Sequence, residues 1–296
     1  MTSVSEMNEI FVFIVVVLRG SGYMTRLREE DVLYIAESLK EYDKQLVKNV
    51  GKSLAGIAAH AIGRTEKEIY DLHHATSVAI IPVTCGEGII NGFSGSVQKI
   101  IEHLGFTAFV TGHKDVGGLA EAVKKGAKVI FLADDDHFVA INISTGRVVV
   151  DNGEATGKGY AAALDLMSGG LREREVLLLG AGPVGTGAAA FMSGHGARVF
   201  VYDVELEKAE NLKKTVPGVQ IVRDFYEALP EYKLLFDATP APEIIVKEYV
   251  REDTMISAPG IPLGLSQGCL PLMADRLIHD ALEIGVAAML FEALSN

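Results

Sequence analysis

The chain has 296 residues, no tryptophan and only two cysteines, Cys85 and Cys269, which are far apart and stand in no CxxC or Cys/His pattern. That excludes a disulfide framework and the usual zinc-ligand spacing. Two isolated thiols suit a reducing, cytoplasmic location. Basic residues are in deficit: 27 lysines and arginines against 39 acids leave a net charge of −12. A nucleic-acid partner would need a basic face that releases counterions, so none is expected. An anionic membrane surface is disfavoured for the same reason, whereas a cationic small-molecule substrate suits an acidic protein. Long apolar runs are missing too. Ile10–Leu18 is nine apolar residues, about half of the ~20 that a bilayer span needs. It also lacks the basic start of a signal peptide. Residues Met1–Tyr23 are therefore expected to be an extension outside the fold, with Met24 as the natural start.

What is present is a globular composition, 49% hydrophobic and 22% charged, in a length that suggests two domains. Glu29–Val50, Ser53–Ile62 and Thr65–His74 carry helical apolar spacing, and Thr65 with Glu68 forms a capping box. Ser77–Pro82, Thr107–Thr111 and Lys128–Ala133 read as short buried strands. Helices Ser94–Leu104 and Val116–Lys125 alternate with them. Such alternation predicts right-handed crossovers and a parallel sheet. His137–Asn142 and Arg147–Val150, flanking Ser144-Thr145-Gly146, predict a hairpin. A linking helix over Thr156–Ser168 closes a domain of residues 24–170. From 171 to 296 the predicted strands are Val176–Leu179, Arg198–Tyr202, Val219–Val222, Leu234–Asp237, Thr254–Ser257 and Leu277–His279. A final helix, Gly285–Leu294, is expected to fold back across the first domain. The expected fold class is thus α/β in two domains, an N-terminal substrate domain and a C-terminal Rossmann-type, doubly wound parallel sheet.

The chemistry is clearest at Gly180-Ala181-Gly182-Pro183-Val184-Gly185, which follows a buried strand and opens a helix. In such a turn Gly180 permits the tight exit from the strand, Gly182 the approach of a pyrophosphate, and Gly185 close helix–strand packing. Pro183 suits a first helical turn, where its missing N–H is not needed. The helix N-terminus offers N–H groups to phosphates. Asp203 ends the next strand, 18 residues beyond Gly185. Its carboxylate is placed to bind the ribose hydroxyls and to repel a 2′-phosphate, so the expected cofactor is NAD. The loops Asp237–Pro242, with Thr239 and Pro240, and Ser257–Pro262, with Pro259 and Gly260, follow later strands, where a doubly wound sheet binds its ligand.

In the first domain, Val83–Ser94 ends one strand and opens a helix, with small residues suited to a carboxylate or phosphate or simply to a turn. Asp134-Asp135-Asp136 stands at the end of another strand on the same edge. It reads as a solvated acidic turn or as a carboxylate that holds a substrate ammonium.

From about Met24 onward these residues resemble the pyrrolysine synthase family. The resemblance rests on IIPVTCGEGIINGFSGSV (Ile80–Val97), on Gly126-Ala127 with FLADDDHF (Phe131–Phe138), and on GAGPVG, DATPAP and SAPGIP. It implies a homodimeric NAD enzyme of the last step of pyrrolysine biosynthesis. That enzyme oxidises the terminal amine of L-lysine-Nε-3-methyl-D-ornithine; ammonia then leaves and the pyrroline ring closes. The resemblance also implies Asp134 as the catalytic, substrate-binding acid, with Leu27, Cys85, Gly86, Ile90 and Phe93 around the substrate. Cys85 stands where the family has serine, and a thiol is the weaker donor. Glu87 stands where an uncharged amide is expected. An alkyl ammonium has a pKa of about 10.4, so oxidation requires removal of a proton, which Asp134 could relay while orienting the amine. No metal is required, and the histidines show no ligand spacing. The architecture is shared with two-domain dehydrogenases of the shikimate and methylenetetrahydrofolate types. A non-catalytic NAD-sensing regulator is a further alternative, although no DNA-reading element is visible.

Overall fold

The computed structural model describes residues 26–73, 75–144 and 148–295. The expected extension Met1–Tyr23 and the start at Met24 lie outside these residues. Four helices come first: α1 (Glu29–Val32), α2 (Ile35–Val50), α3 (Leu54–Ala61) and α4 (Glu66–His73). The single helix expected over Glu29–Val50 is thus two, parted by a turn at Leu33-Tyr34, with both of those side chains exposed. α2 buries Ile35, Leu39, Leu46 and Val50 along one stripe, the pattern of a helix lying on a core. Gly51, left-handed at φ 79°, ends it. The capping box at α4 forms as expected, with the Thr65 amide donating to Glu68 at 2.7 Å and the Glu68 amide to Thr65 Oγ1 at 3.3 Å.

The first sheet holds β1 (Ser77–Pro82), β2 (Thr107–Val110), β3 (Val129–Ala133), β4 (Phe138–Asn142) and β5 (Val148–Asp151) in the order β2-β1-β3-β4-β5. Its first three strands are parallel, connected through α5 (Phe93–His103) and α6 (Asp115–Lys124). β4 and β5 form the expected antiparallel hairpin. The linking helix α7 (Asn152–Ser168) starts four residues earlier than expected, because Asp151 caps it by accepting from the Gly153 amide at 2.8 Å.

The second sheet is wholly parallel. Its strands are β6 (Glu175–Leu179), β7 (Arg198–Tyr202), β8 (Gln220–Ile221), β9 (Leu234–Asp237), β10 (Met255–Ser257) and β11 (Leu277–Ile278), in the order β11-β10-β9-β6-β7-β8. The order reverses beside β6, as a doubly wound dinucleotide fold requires. α8 (Pro183–Gly194) and α9 (Leu206–Thr215) make the first two crossovers, and α10 (Phe225–Ala228) and α11 (Leu270–Met273) are single turns.

Two features join the sheets. α7 and α8 pack backbone to backbone: a Cβ on Gly157 would stand 2.1 Å from the Val184 carbonyl oxygen, and one on Gly187 would stand 2.3 Å from that of Glu154. Glycine costs about 1 kcal/mol within a helix, and here only glycine allows the contact. The last helix, α12 (Glu283–Leu294), packs on α3, α5, α7 and the β4–β5 hairpin. It is buried around nearly its whole circumference, as a helix running through a core must be. Lys158 pairs with Glu292 at 2.7 Å, and the Asn142 amide donates to the Ala293 carbonyl at 2.8 Å. The chain's end is therefore part of the core under the first sheet.

Candidate active site

The carboxyl ends of both parallel strand sets open into one cavity of about 1190 Å³. On the second-sheet side it is lined by Gly180, Gly182, Pro183, Val184, Asp203, Thr239, Pro240, Pro259 and Gly260. On the first-sheet side Leu27, Ile90, Phe93 and Asp134 line it. Three residues named from the sequence do not reach it: Cys85, Gly86 and Gly185. Gly185 lies beneath the glycine turn, where a Cβ would meet the Gly180 carbonyl oxygen at 2.1 Å. Gly86 backs onto the Asp135 carboxylate, and its φ of +66° admits a side chain only with strain. Cys85 is exposed, its Sγ 3.9 Å from Asp134 Oδ2.

The glycine turn tests whether a dinucleotide fits. Gly180 has φ +92°, and a Cβ on it would stand 2.9 Å from the Ala238 carbonyl oxygen, so the chain turns there without a side chain. A Cβ at Gly182 would meet nothing within 4 Å, and Gly182 lines the cavity. The backbone is thus bare toward open space at the N-terminus of α8, where unpaired N–H groups and the helix dipole favour phosphate. Asp203 accepts from the Ala181 amide at 2.7 Å through Oδ2 and from the Glu205 amide at 2.8 Å through Oδ1. It bridges the glycine turn to the end of β7, and a second lone pair on each oxygen is left for ribose hydroxyls. Tyr202, Phe225, Tyr226 and Leu212 line the space beyond it. These residues fit an adenosine dinucleotide.

At the other end, Asp134 Oδ1 accepts from the Asp136 and His137 amides at 2.9 and 2.7 Å. Burial pushes the Asp134 carboxyl up. The two amides, with His137 and the Cys85 thiol, outweigh this and hold it below the usual carboxylate range. Asp134 is therefore an anchored anion whose Oδ2 carries no main-chain bond among the described residues. Its neighbour Asp135 is instead tied into the loop, where it pairs with Arg26 and accepts from the Glu87 amide at 2.5 Å. Arg26 also donates to the Gly88 carbonyl at 2.7 Å and stands 3.5 Å from the Glu87 carboxylate. Glu87 thus faces out of the loop toward Arg26. The apolar wall is Phe93 against Phe138, centroids 5.2 Å apart and near perpendicular, backed by Phe131.

Sequence reasoning missed several lining residues. Asn152, Glu154, Thr156 and Tyr160 come from the first turns of α7, and Asp280, Ala281 and Leu282 from the loop after β11. Tyr42 on α2 donates to Asp280 Oδ2 at 2.6 Å, and the Tyr160 hydroxyl exchanges hydrogen bonds with the Asp280 main chain, both at 2.9 Å. The extra turn of α7 was the only available signal: Asp151-Asn152 is a good N-cap pair that a start at Thr156 overlooks. Asp237 lies under the cavity, fully buried. Burial pushes it up to about 6. Oδ1 accepts from the Thr239 amide and hydroxyl at 3.0 and 2.7 Å, shaping the Thr239-Pro240 turn, while Oδ2 has no partner among the described residues.

Residues 31–149 match the family of the pyrrolysine biosynthesis protein PylD, N-terminal domain. Residues 162–260 match shikimate / quinate 5-dehydrogenase. The chain is 34% identical over 273 residues to pyrrolysine synthase of Methanosarcina acetivorans, covering 92% of this chain and 100% of the relative. It is 33% identical over 278 residues to pyrrolysine synthase of Methanosarcina barkeri, covering 92% and 98%. Among solved structures, quinate dehydrogenase from Corynebacterium glutamicum in complex with NAD superposes with a TM-score of 0.52 at 12% identity, over 75% of this chain and 94% of that one. Shikimate dehydrogenase from Aquifex aeolicus does so with 0.50 at 15%, over 75% and 92%. At such identities these structures speak for the fold alone. No helix among the described residues is long and apolar enough to cross a membrane.

Proposed function

The chain belongs to the pyrrolysine synthase family, and from that premise we propose that it oxidises the terminal amine of L-lysine-Nε-3-methyl-D-ornithine with NAD and closes the pyrroline ring of pyrrolysine. The single observation that carries this reading is the shared cavity, with the bare glycine turn and Asp203 at one end and the anchored Asp134 carboxylate at the other.

When bound, NAD accepts the two electrons and the hydrogen that leave the amine-bearing carbon. The chain's residues prepare that carbon. Asp134 binds the substrate ammonium through Oδ2, in an acidic rim that includes Glu87 and Asp136. Because it is held below the ordinary carboxylate range, Asp134 serves chiefly to orient the amine, and its proton passes on through water to solvent. Thr239, Pro240, Pro259 and Gly260 form the cofactor-binding wall beside the reacting carbon. The Thr239 turn is fixed by Asp237 from below. Leu27, Ile90 and Phe93 fold the substrate and keep water out. The α-amine of the ornithine part attacks the carbon that has become an imine, ammonia leaves, and the ring closes. Both partners are in one molecule, where effective concentrations reach about 10⁵ M or more with good orientation.

This reading divides the chain at residue 170 into a substrate domain and an NAD domain, in a cytoplasmic homodimer. The test is incubation of the purified protein with NAD and the lysine–methylornithine amide, following NADH absorbance and product mass. NADH formation with a product of pyrrolysine mass is the expected result. No NADH and no pyrroline would overturn the substrate while leaving the dinucleotide fold in place.

A further inference from the structure

At the end of α8 opposite the glycine turn, His60 of α3, Asp165 of α7 and His195 at the C-cap of α8 converge. They offer one ligand atom each, all within 4.8 Å of one another. We propose that these three residues bind one zinc-class divalent ion, which fastens the two helices of the first half to the helix that carries the nucleotide-facing turn.

The donor set is two imidazoles and a carboxylate, which suits zinc with water in the fourth position. Two of the three ligands are already oriented by other bonds, as metal ligands commonly are. Asp165 is buried, and its Oδ1 accepts from the Leu171 amide at 2.8 Å, which turns Oδ2 toward His60 Nε2 at 2.7 Å. His195 Nδ1 lies 2.9 Å from the Phe191 carbonyl oxygen, which can only accept. Nδ1 is therefore the donor, and in the tautomer with its proton there the lone pair of Nε2 is left for a metal. The ring stacks on Phe191 at 3.9 Å and 19°, and the His60 ring stands edge-on to it at 5.7 Å.

Ligand atoms around a tetrahedral zinc stand about 3.4 Å apart, given bonds of about 2.1 Å. With the ligand atoms within 4.8 Å of one another, the remaining closure is at most about 1.4 Å. His195 is exposed and can supply it by side-chain rotation. The same exposure admits the water ligand. α8 has 12 residues, so the ion would sit about 18 Å along the helix from the glycine turn. Its role is accordingly to hold the joint, and it takes no part in the reaction. Sequence spacing does not announce this site, because its ligands are distant in the chain and meet only where α3, α7 and α8 pack.

The experiment uses the full, untagged chain after dialysis against a chelator. Zinc is titrated with a competing chromophoric chelator, cobalt is added for its visible spectrum, and thermal unfolding is followed with and without zinc. Expected are one zinc per chain, the intense visible bands of tetrahedral cobalt, and a melting temperature raised by saturating zinc. H195Q should lose at least about 100-fold in zinc affinity, more than outer partners cost, together with the cobalt bands and the zinc-dependent shift. Because His195 is exposed, the metal-free H195Q protein should melt with the wild type, which separates ligand loss from misfolding. H60Q provides the second variant. Failure to retain zinc, or retention that neither H195Q nor H60Q alters, would overturn the proposal and leave His60–Asp165 as a plain hydrogen-bonded pair.

Discussion

Asp134 and Asp203 stand at corresponding places in the two halves of the molecule. Each follows a parallel strand, lines the same cavity and accepts two main-chain N–H groups. They differ in how the bonds are shared. Asp203 uses one oxygen for the Ala181 amide and the other for the Glu205 amide. Asp134 takes both amides on Oδ1 and, among the described residues, leaves Oδ2 without a main-chain partner. The first arrangement makes a brace that also touches a ligand. The second makes a fixed anion with one oxygen reserved. A third carboxylate, Asp237, sharpens the contrast: fully buried with an orphan oxygen, it is pushed up to about 6, whereas amides hold Asp134 low. Burial raises a carboxyl and hydrogen bonds to its charged form lower it, so three aspartates at strand ends play three different parts.

The sharpest way to break the comparison is to remove each acid in turn. Asp134→Ala is expected to lower amine-dependent turnover by about 10²-fold or more, with NAD binding unchanged by calorimetry. Wild-type turnover would end its proposed role. Asp203→Asn should be milder, raising the KM for NAD about 10- to 100-fold, the loss of one charge-assisted hydrogen bond. It should also narrow the preference over NADP, since the charge that repels a 2′-phosphate is gone.

Next in size is the joint that sets the two acids across one space. Gly157→Val would drive a side chain into the Val184 backbone, and overpacking of this kind costs about 1–3 kcal/mol. Chemical denaturation should register that loss.

A different kind of effect, one of pH on stability, is expected beside the cavity. Burial first, and the Asp280 carboxylate second, push Glu283 up to about 8. Unfolded glutamate titrates near 4.3, so from about 4.3 to about 8 the native state holds a proton that the unfolded chain has released. Glu283's contribution to stability is therefore present at low pH and lost as pH rises through this window. Glu283→Gln should flatten that decline and raise the melting temperature at pH 8 relative to the wild type, with little change at pH 4. The smallest effect is expected at Cys85→Ser. Its Sγ is exposed and 3.9 Å from Asp134, so steady-state kinetics should change less than about threefold, within the range of one weak hydrogen bond.

The two halves were not equally legible. In the Rossmann half, strand, turn, helix and acid lie within Val176–Asp203, and each residue type answers a local demand of the backbone or of a phosphate. In the first half the strands were readable from their apolar runs, but the loop residues were not. Gly86 resembles a ligand-facing glycine in sequence, yet it is small because Asp135 lies behind it. Leu27, Ile90 and Phe93 were named through family resemblance, and nothing in their spacing distinguishes them from ordinary core.

By itself, then, the sequence determined the periodic and the adjacent: buried strands, the capping box, the glycine turn and the acid that follows it. These depend on contacts a few residues apart. Only the tertiary structure decided which loops share the cavity, that α12 returns beneath the first sheet, and that Tyr42, Tyr160 and Asp280 meet beside it. It likewise decided that His60, Asp165 and His195 converge. Those juxtapositions follow from helix packing across more than a hundred residues of chain, and no local pattern encodes them.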